Sequence, residues 1–119
     1  MSESLYQRLG GGDGIAAIAN DVVDNHLKNP LVSMRFQQND PAQLKKLAAQ
    51  FFCTGTGGPE AYEGRDMRSA HLGMNINEQE YMSVMDDVVD AMGSQSVGAQ
   101  EQSEVIAILY SLKGEILRV

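Results

Sequence analysis

The chain has 119 residues, 43% apolar and 21% charged, the size of one domain and too apolar for a disordered one. Nine Lys and Arg against sixteen Asp and Glu give a formal charge of -7. Nucleic acid is therefore excluded as a partner, since a phosphate backbone needs clustered cations and only Lys45-Lys46 pair directly. The same acidity argues against anionic lipid, and no apolar run approaches the ~20 residues of a membrane span. The single cysteine, Cys53, excludes a disulfide framework and a multi-cysteine zinc site.

Met1-Ser2-Glu3-Ser4 lacks a basic segment followed by an apolar core, so a cytoplasmic protein is expected. Asp13 is placed to cap a helix whose residues Ile15, Ile18, Ala19, Val22, Val23, His26 and Leu27 fall on one face. Asn29-Pro30 ends it, because the residue before proline avoids helical dihedrals. Leu31 to Phe36 is a short apolar passage. Asp40-Pro41 supplies a cap and a first-turn proline for a second helix, with Leu44, Leu47, Ala48, Phe51 and Phe52 on one face. That helix dissolves at Thr54-Gly55-Thr56-Gly57-Gly58-Pro59.

Arg65 to Gly73 reads as a short helix aligning Met67, Ala70, His71 and Met74. Asn77 and Glu80 have the spacing of a capping box. They open a helix carrying Tyr81, Val84, Met85, Val88, Val89 and Met92, stopped at Gly93. A last helix carries Val105, Ile106, Leu109, Leu112 and Ile116 and runs almost to the end. No segment alternates with a period of two, so an all-α fold and a single domain over 1–119 are expected. Glycine clusters at Gly10-Gly11-Gly12 with Gly14, and at Gly55, Gly57 and Gly58, would cost about 1 kcal/mol each inside helices. They suit sharp corners between short helices.

The chemistry turns on His71. A lone histidine on an apolar face is ordinarily a core residue with a satisfied hydrogen bond. Here it sits on a very short helix after a glycine-rich segment, between helices with large apolar faces. Seven methionines and no tryptophan suit an adaptable apolar pocket. One neutral imidazole with open coordination opposite is what haem iron needs on its proximal side.

The chain resembles the group I truncated haemoglobins, the compact two-over-two globins. The resemblance is carried by Leu5-Tyr6, Leu9-Gly10-Gly11, Phe36 before Asp40, Phe51-Phe52, Gly57-Gly58-Pro59, Tyr62-Glu63-Gly64-Arg65 and Met67-Arg68-Ser69-Ala70-His71, then Gly73, Ile76 and Tyr81. It spans roughly Leu5 to Leu117, and the set in order is specific although each piece is weak. It implies a two-over-two helical sandwich around one haem b per chain, with His71 as proximal iron ligand. Phe36 matches the aromatic that wedges against the haem. Met67, Ile76, Val84, Ile106 and Leu109 match apolar pocket positions, and Tyr81 stands where the family has phenylalanine. Lys45, Lys46, Tyr62 and Arg68 are candidates for the propionates.

The chain departs from the family on the distal side, where a tyrosine and a glutamine or histidine commonly hold bound oxygen. Aligning Phe36 and His71 without gaps puts Val23 at the tyrosine position and Leu44, Leu47 and Ala48 at the other three, all apolar. Losing one such hydrogen bond costs about 1–1.5 kcal/mol, roughly tenfold in equilibrium constant. It would appear mainly as faster release. His26, about 60° round the helix from Val23 and ~4.5 Å along it, is expected to pack with a local hydrogen bond, or else to restore polarity to the pocket. Tyr81 has the same two options. Lys46 is an internal iron ligand only if the register is off by one. Cys53 is expected to be a buried, inert thiol.

The resulting expectation is a monomeric haem protein that reversibly binds a diatomic gas, oxygen by default and carbon monoxide or nitric oxide as alternatives, with a reductase as partner. A haem-dependent nitric oxide dioxygenase or peroxidase-like enzyme is the first alternative, and it needs a distal donor or general acid. A haem-free helical interaction module is the second.

Overall fold

A computed structural model describes residues 3–37 and 39–118. Met1 and Ser2, used in the N-terminal reading above, lie outside the described residues. The elements are α1 (Leu5–Arg8), α2 (Gly11–Lys28), a 3-10 turn (Ser33–Phe36), α3 (Pro41–Gly55), α4 (Met67–His71), α5 (Glu78–Ser94), α6 (Ala99–Ser111) and α7 (Lys113–Ile116). Among the described residues the only extended pairing is an isolated bridge between Ile76 and Leu117.

The helix starts follow from local chemistry. Asp40 accepts from the Ala42 N–H at 3.2 Å, with Pro41 in the first turn of α3. Asn77 accepts from the Glu80 N–H at 2.8 Å while Glu80 accepts from the Asn77 N–H at 3.2 Å, the expected capping box. Asp13, in contrast, does not cap α2. The helix begins two residues earlier, behind Gly10 at φ 98°, and Asp13 lies in its first turn. Left-handed backbone at Gly10 turns the chain sharply out of α1, and a Cβ on Gly14 would stand 2.3 Å from the Leu9 carbonyl oxygen.

Three other boundaries shift. The short helix is Met67–His71 rather than Arg65 to Gly73, since Asp66 caps it through the Ser69 N–H at 3.2 Å and Leu72 turns extended. Gly93 sits inside α5, which closes one residue later. The last helix breaks at Leu112 into α6 and α7.

Helix α2 packs on α3 and α5, α5 on α6, and α4 on α7. Two apolar clusters result. The first joins Leu5, Leu9, Ile15, Ile18, Val22, Cys53, Val88, Ala91, Met92 and Val105. The second joins Ile76, Tyr81, Met85 and Ile116, with Met67 and Met74 packed against it. Tyr6 ties α1 to the loop after α3, its hydroxyl donating to Glu60 Oε2 at 2.8 Å and its backbone N–H to the Thr56 carbonyl at 3.0 Å. No helix among the described residues is long and apolar enough to cross a membrane.

Candidate functional site: an apolar cavity lined by two histidines

Between the clusters the helices stand apart around a cavity of about 320 Å³, within the range of small-molecule and cofactor sites. Helix α2 contributes Val22, Val23 and His26, and the 3-10 turn contributes Arg35 and Phe36. From α3 come Leu44, Leu47, Ala48, Phe51 and Phe52. Met67, Ala70 and His71 of α4, then Met74 and Ile76, form another wall, and Glu80, Tyr81, Val84 and Val88 of α5 close it with Leu109 and Ile116.

His71 lines this space from the last residue of α4. Its Nδ1 lies 2.7 Å from the Met67 carbonyl oxygen one turn back. A carbonyl only accepts, so Nδ1 carries the proton and donates. In the neutral ring that leaves Nε2 as an electron-pair donor. Metal-ligating histidines characteristically have their other nitrogen fixed in this way. Among the described residues no three His, Cys, Asp or Glu side chains converge as a metal site, and the cavity wall carries two imidazoles, His71 and His26.

Two polar pairs also face the cavity. Arg35 donates through Nε to Glu80 Oε2, through Nη2 to Glu80 Oε1 at 3.0 Å and through Nη1 to the Met74 carbonyl at 3.1 Å. That clamp joins the turn bearing Phe36 to the segment following His71. The Arg35 guanidinium holds the Glu80 carboxyl below the usual carboxylate range. His26 stacks on Phe36, ring centroids 5.3 Å apart and planes 10° apart, with Nδ1 2.7 Å from Asp87 Oδ2.

Of the residues singled out from the sequence, His71, Phe36, Val23, His26, Leu44, Leu47, Ala48, Tyr62, Met67, Ile76, Tyr81, Val84 and Leu109 all line the cavity. Ile106 packs behind it, against both clusters. Lys45 pairs with Asp24 at 3.0 Å, Lys46 approaches Glu63 at 4.0 Å, and Arg68 is exposed on α4. The Tyr62 hydroxyl donates to the Arg65 carbonyl at 2.7 Å. The Tyr81 hydroxyl donates to the Leu109 carbonyl, so it finds a partner in the protein, and burial raises its pKa. Cys53 is buried, and desolvation with Glu60 nearby pushes its thiol up to about 11, which keeps it an inert thiol.

Sequence reasoning missed Arg35 and Asp87, and read Glu80 only as a helix-capping residue. Asp87 carried a signal: it follows Val84 by three residues and precedes Ala91 by four, a charge on a buried stripe. His26 accordingly bonds across the fold to α5, rather than locally.

Comparison with known proteins agrees with this architecture. The chain is 26% identical over 113 residues to the group 1 truncated hemoglobin GlbN of Mycolicibacterium paratuberculosis, covering 95% of this chain and 83% of that one. It is 24% identical over 114 residues to the group 1 truncated hemoglobin GlbN of a Nostoc species, covering 96% and 97%. The truncated hemoglobin of Tetrahymena pyriformis, solved in its Fe(III) form, superposes with a TM-score of 0.94 at 21% identity over 98% of this chain and 100% of that one. The 2/2 hemoglobin of a Synechococcus species gives 0.88 at 23% identity over 97% and 98%. Residues 4–118 match the family described as bacterial-like globin. An all-α two-over-two sandwich and a match along nearly the whole sequence place the chain in the bacterial-like globin family, with the haem-based gas binding that the family implies.

Proposed function

We propose that the chain holds one haem b in the 320 Å³ cavity, with His71 as proximal iron ligand, and reversibly binds a diatomic gas. The observation that carries this reading is the imidazole whose Nδ1–H is committed to the Met67 carbonyl while the ring lines an apolar cavity. When bound, the haem supplies an iron with one open coordination position. Leu44, Leu47, Met67, Ile76, Val84 and Leu109 would cover the macrocycle's apolar faces and exclude water. Phe36, held by its stack on His26, would wedge against one side.

On the ligand side Val23, Leu44, Leu47 and Ala48 provide no hydrogen-bond donor, and the Tyr81 hydroxyl is occupied by Leu109. Bound oxygen carries partial negative charge on its outer atom and gains from a donor. This pocket should therefore release oxygen quickly and discriminate little against carbon monoxide. In this reading Lys45, Tyr62 and Arg68 would reach the propionates, Lys45 by leaving Asp24. The chain would act as one globin domain over 1–119, monomeric and cytoplasmic, with a reductase returning the iron to the ferrous state.

Titration of the haem-free protein with haem tests the reading. It predicts a Soret band saturating at one equivalent, a five-coordinate ferrous spectrum, and a shift on adding carbon monoxide. A protein that gains no Soret band is not a haem carrier.

A further inference from the structure

His26 is buried and lines the cavity one helical turn beyond Val23, yet among the described residues only one of its ring nitrogens has a partner. Asp87 Oδ2 accepts from Nδ1 at 2.7 Å. The carboxylate is itself fixed: Asn29 Nδ2 donates to the same oxygen at 3.1 Å, and Asn25 Nδ2 donates to the Asp87 carbonyl at 3.0 Å. Asn29 Nδ2 also reaches Ser83 Oγ at 2.7 Å. Phe36 holds the face of the ring. Among the described residues Nε2 has no hydrogen-bond partner, and the ring itself lines the cavity.

An ionised carboxylate accepts only, so Nδ1 holds the proton and Nε2 of the neutral ring presents a lone pair. That has two consequences. In that neutral form His26 offers bound oxygen no donor, because its N–H already belongs to Asp87. It can, however, accept a proton from something in the cavity, and Asp87 stabilises the imidazolium that results. The other charged groups lining the cavity, Arg35 and Glu80, neutralise each other.

We propose that the His26–Asp87 pair is an internal base that selects small protic ligands of the type H–X, such as hydrogen cyanide, hydrogen sulfide or hydrogen peroxide. The proposal rests on the haem reading above. In the haem-loaded protein the H–X bond would break heterolytically, with the electron pair staying on X as the anion that the ferric haem would hold. The proton passes to Nε2 of His26. The imidazolium then donates from Nδ1 to Asp87 and from Nε2 back to X. No electron changes hands, and release runs the same path in reverse. Carbon monoxide and oxygen have no proton to give and gain nothing from the pair.

The test uses the haem-loaded full chain as wild type, His26→Leu and Asp87→Asn, with potassium cyanide on the ferric protein and carbon monoxide on the ferrous protein as probes. Stopped-flow absorbance should show cyanide association slowed by about tenfold or more in His26→Leu, a factor well beyond whatever change the altered packing of Phe36 makes in carbon monoxide association. Asp87→Asn keeps an oxygen that accepts from Nδ1 but loses the charge, so it should preserve the fold and slow cyanide by an intermediate factor. Nitrogen-15 NMR of the haem-free wild type should report His26 in the Nδ1-protonated tautomer. Unchanged cyanide rates in both variants, or the opposite tautomer, would overturn the proposal. Absence of a Soret band in every protein would show instead that the haem reading beneath it has failed.

Discussion

Ile15, Ile18, Val88 and Met92 close on one another around a void of about 10 Å³, at the lower limit of what one water molecule occupies. Farther along α2 and α5, Val23 and Val84 stand with Leu47 of α3 and Met67 of α4 around about 320 Å³. The residue types are alike and both regions draw on α2 and α5, so hydrophobicity does not distinguish them. The spacing of the helices does. At the closed end α1, α2, α5 and α6, with Cys53 of α3, supply one contiguous apolar cluster. At the open end α2, α3 and α5 face a 3-10 turn, a five-residue helix and Tyr62 of the irregular chain after α3, elements too short to fill the gap. Side chains there lack neighbours on one side and forgo the dispersion energy that a guest would return.

That contrast can be broken by matched truncations. Met92 is wholly buried at the closed end, so Met92→Ala should cost roughly 2–5 kcal/mol in urea unfolding. Leu47→Ala removes a similar volume from the cavity wall and should cost less than half of that in the haem-free protein. Equal costs would mean the cavity closes in solution. Adding haem sharpens the contrast further, because a guest bound at 100 times its Kd stabilises the native state by about 2.7 kcal/mol. Met92→Ala should keep that increment, since its defect lies away from the cavity.

Smaller effects come from the ion pairs at the two ends. Glu80 has its carboxyl held below its ordinary value by Arg35. Its contribution is therefore present above the ordinary glutamate value, near pH 4.3, and is lost as pH falls through the lower folded value. Glu80→Gln should cost at most about 1 kcal/mol at neutral pH, and the gap to wild type should narrow below pH 4.3, as urea midpoints across that range would show. Arg8 bridges α1 to Glu101 at 2.9 Å and to Glu104 at 2.6 Å on the surface of the closed end, holding the Glu104 carboxyl down to about 2. Arg8→Ala should give the smallest change in midpoint. The effect should vanish in ~1 M salt and as pH falls toward 2.

Much of this frame is legible in the chain itself. Asp40-Pro41 and the Asn77–Glu80 box mark helix starts because capping chemistry is local. The apolar faces of α2, α3 and α5 follow from spacing. Helix α1 escaped notice although Ser4 and Gln7 form a capping box, because four residues give no periodicity to read. The start of α2 was misplaced because Gly10 controls it through backbone conformation, for which Asp13 offers a misleading substitute. At the site, the apolar lining could be named from the sequence, but periodicity alone cannot say whether a stripe is packed or faces a void. His26 finding Asp87, and Arg35 finding Glu80, are pairings across 61 and 45 residues that only the tertiary fold creates.

The central claim is that one nitrogen of His71 is the protein's hold on a haem iron. Its direct test is the absorption spectrum of ferrous and carbon-monoxide-bound protein for wild type and His71→Gly, with and without free imidazole. The account predicts a five-coordinate, histidine-ligated ferrous spectrum that is lost in His71→Gly and recovered when imidazole fills the space left by the side chain. A His71→Gly protein whose haem spectra match wild type without imidazole would contradict it.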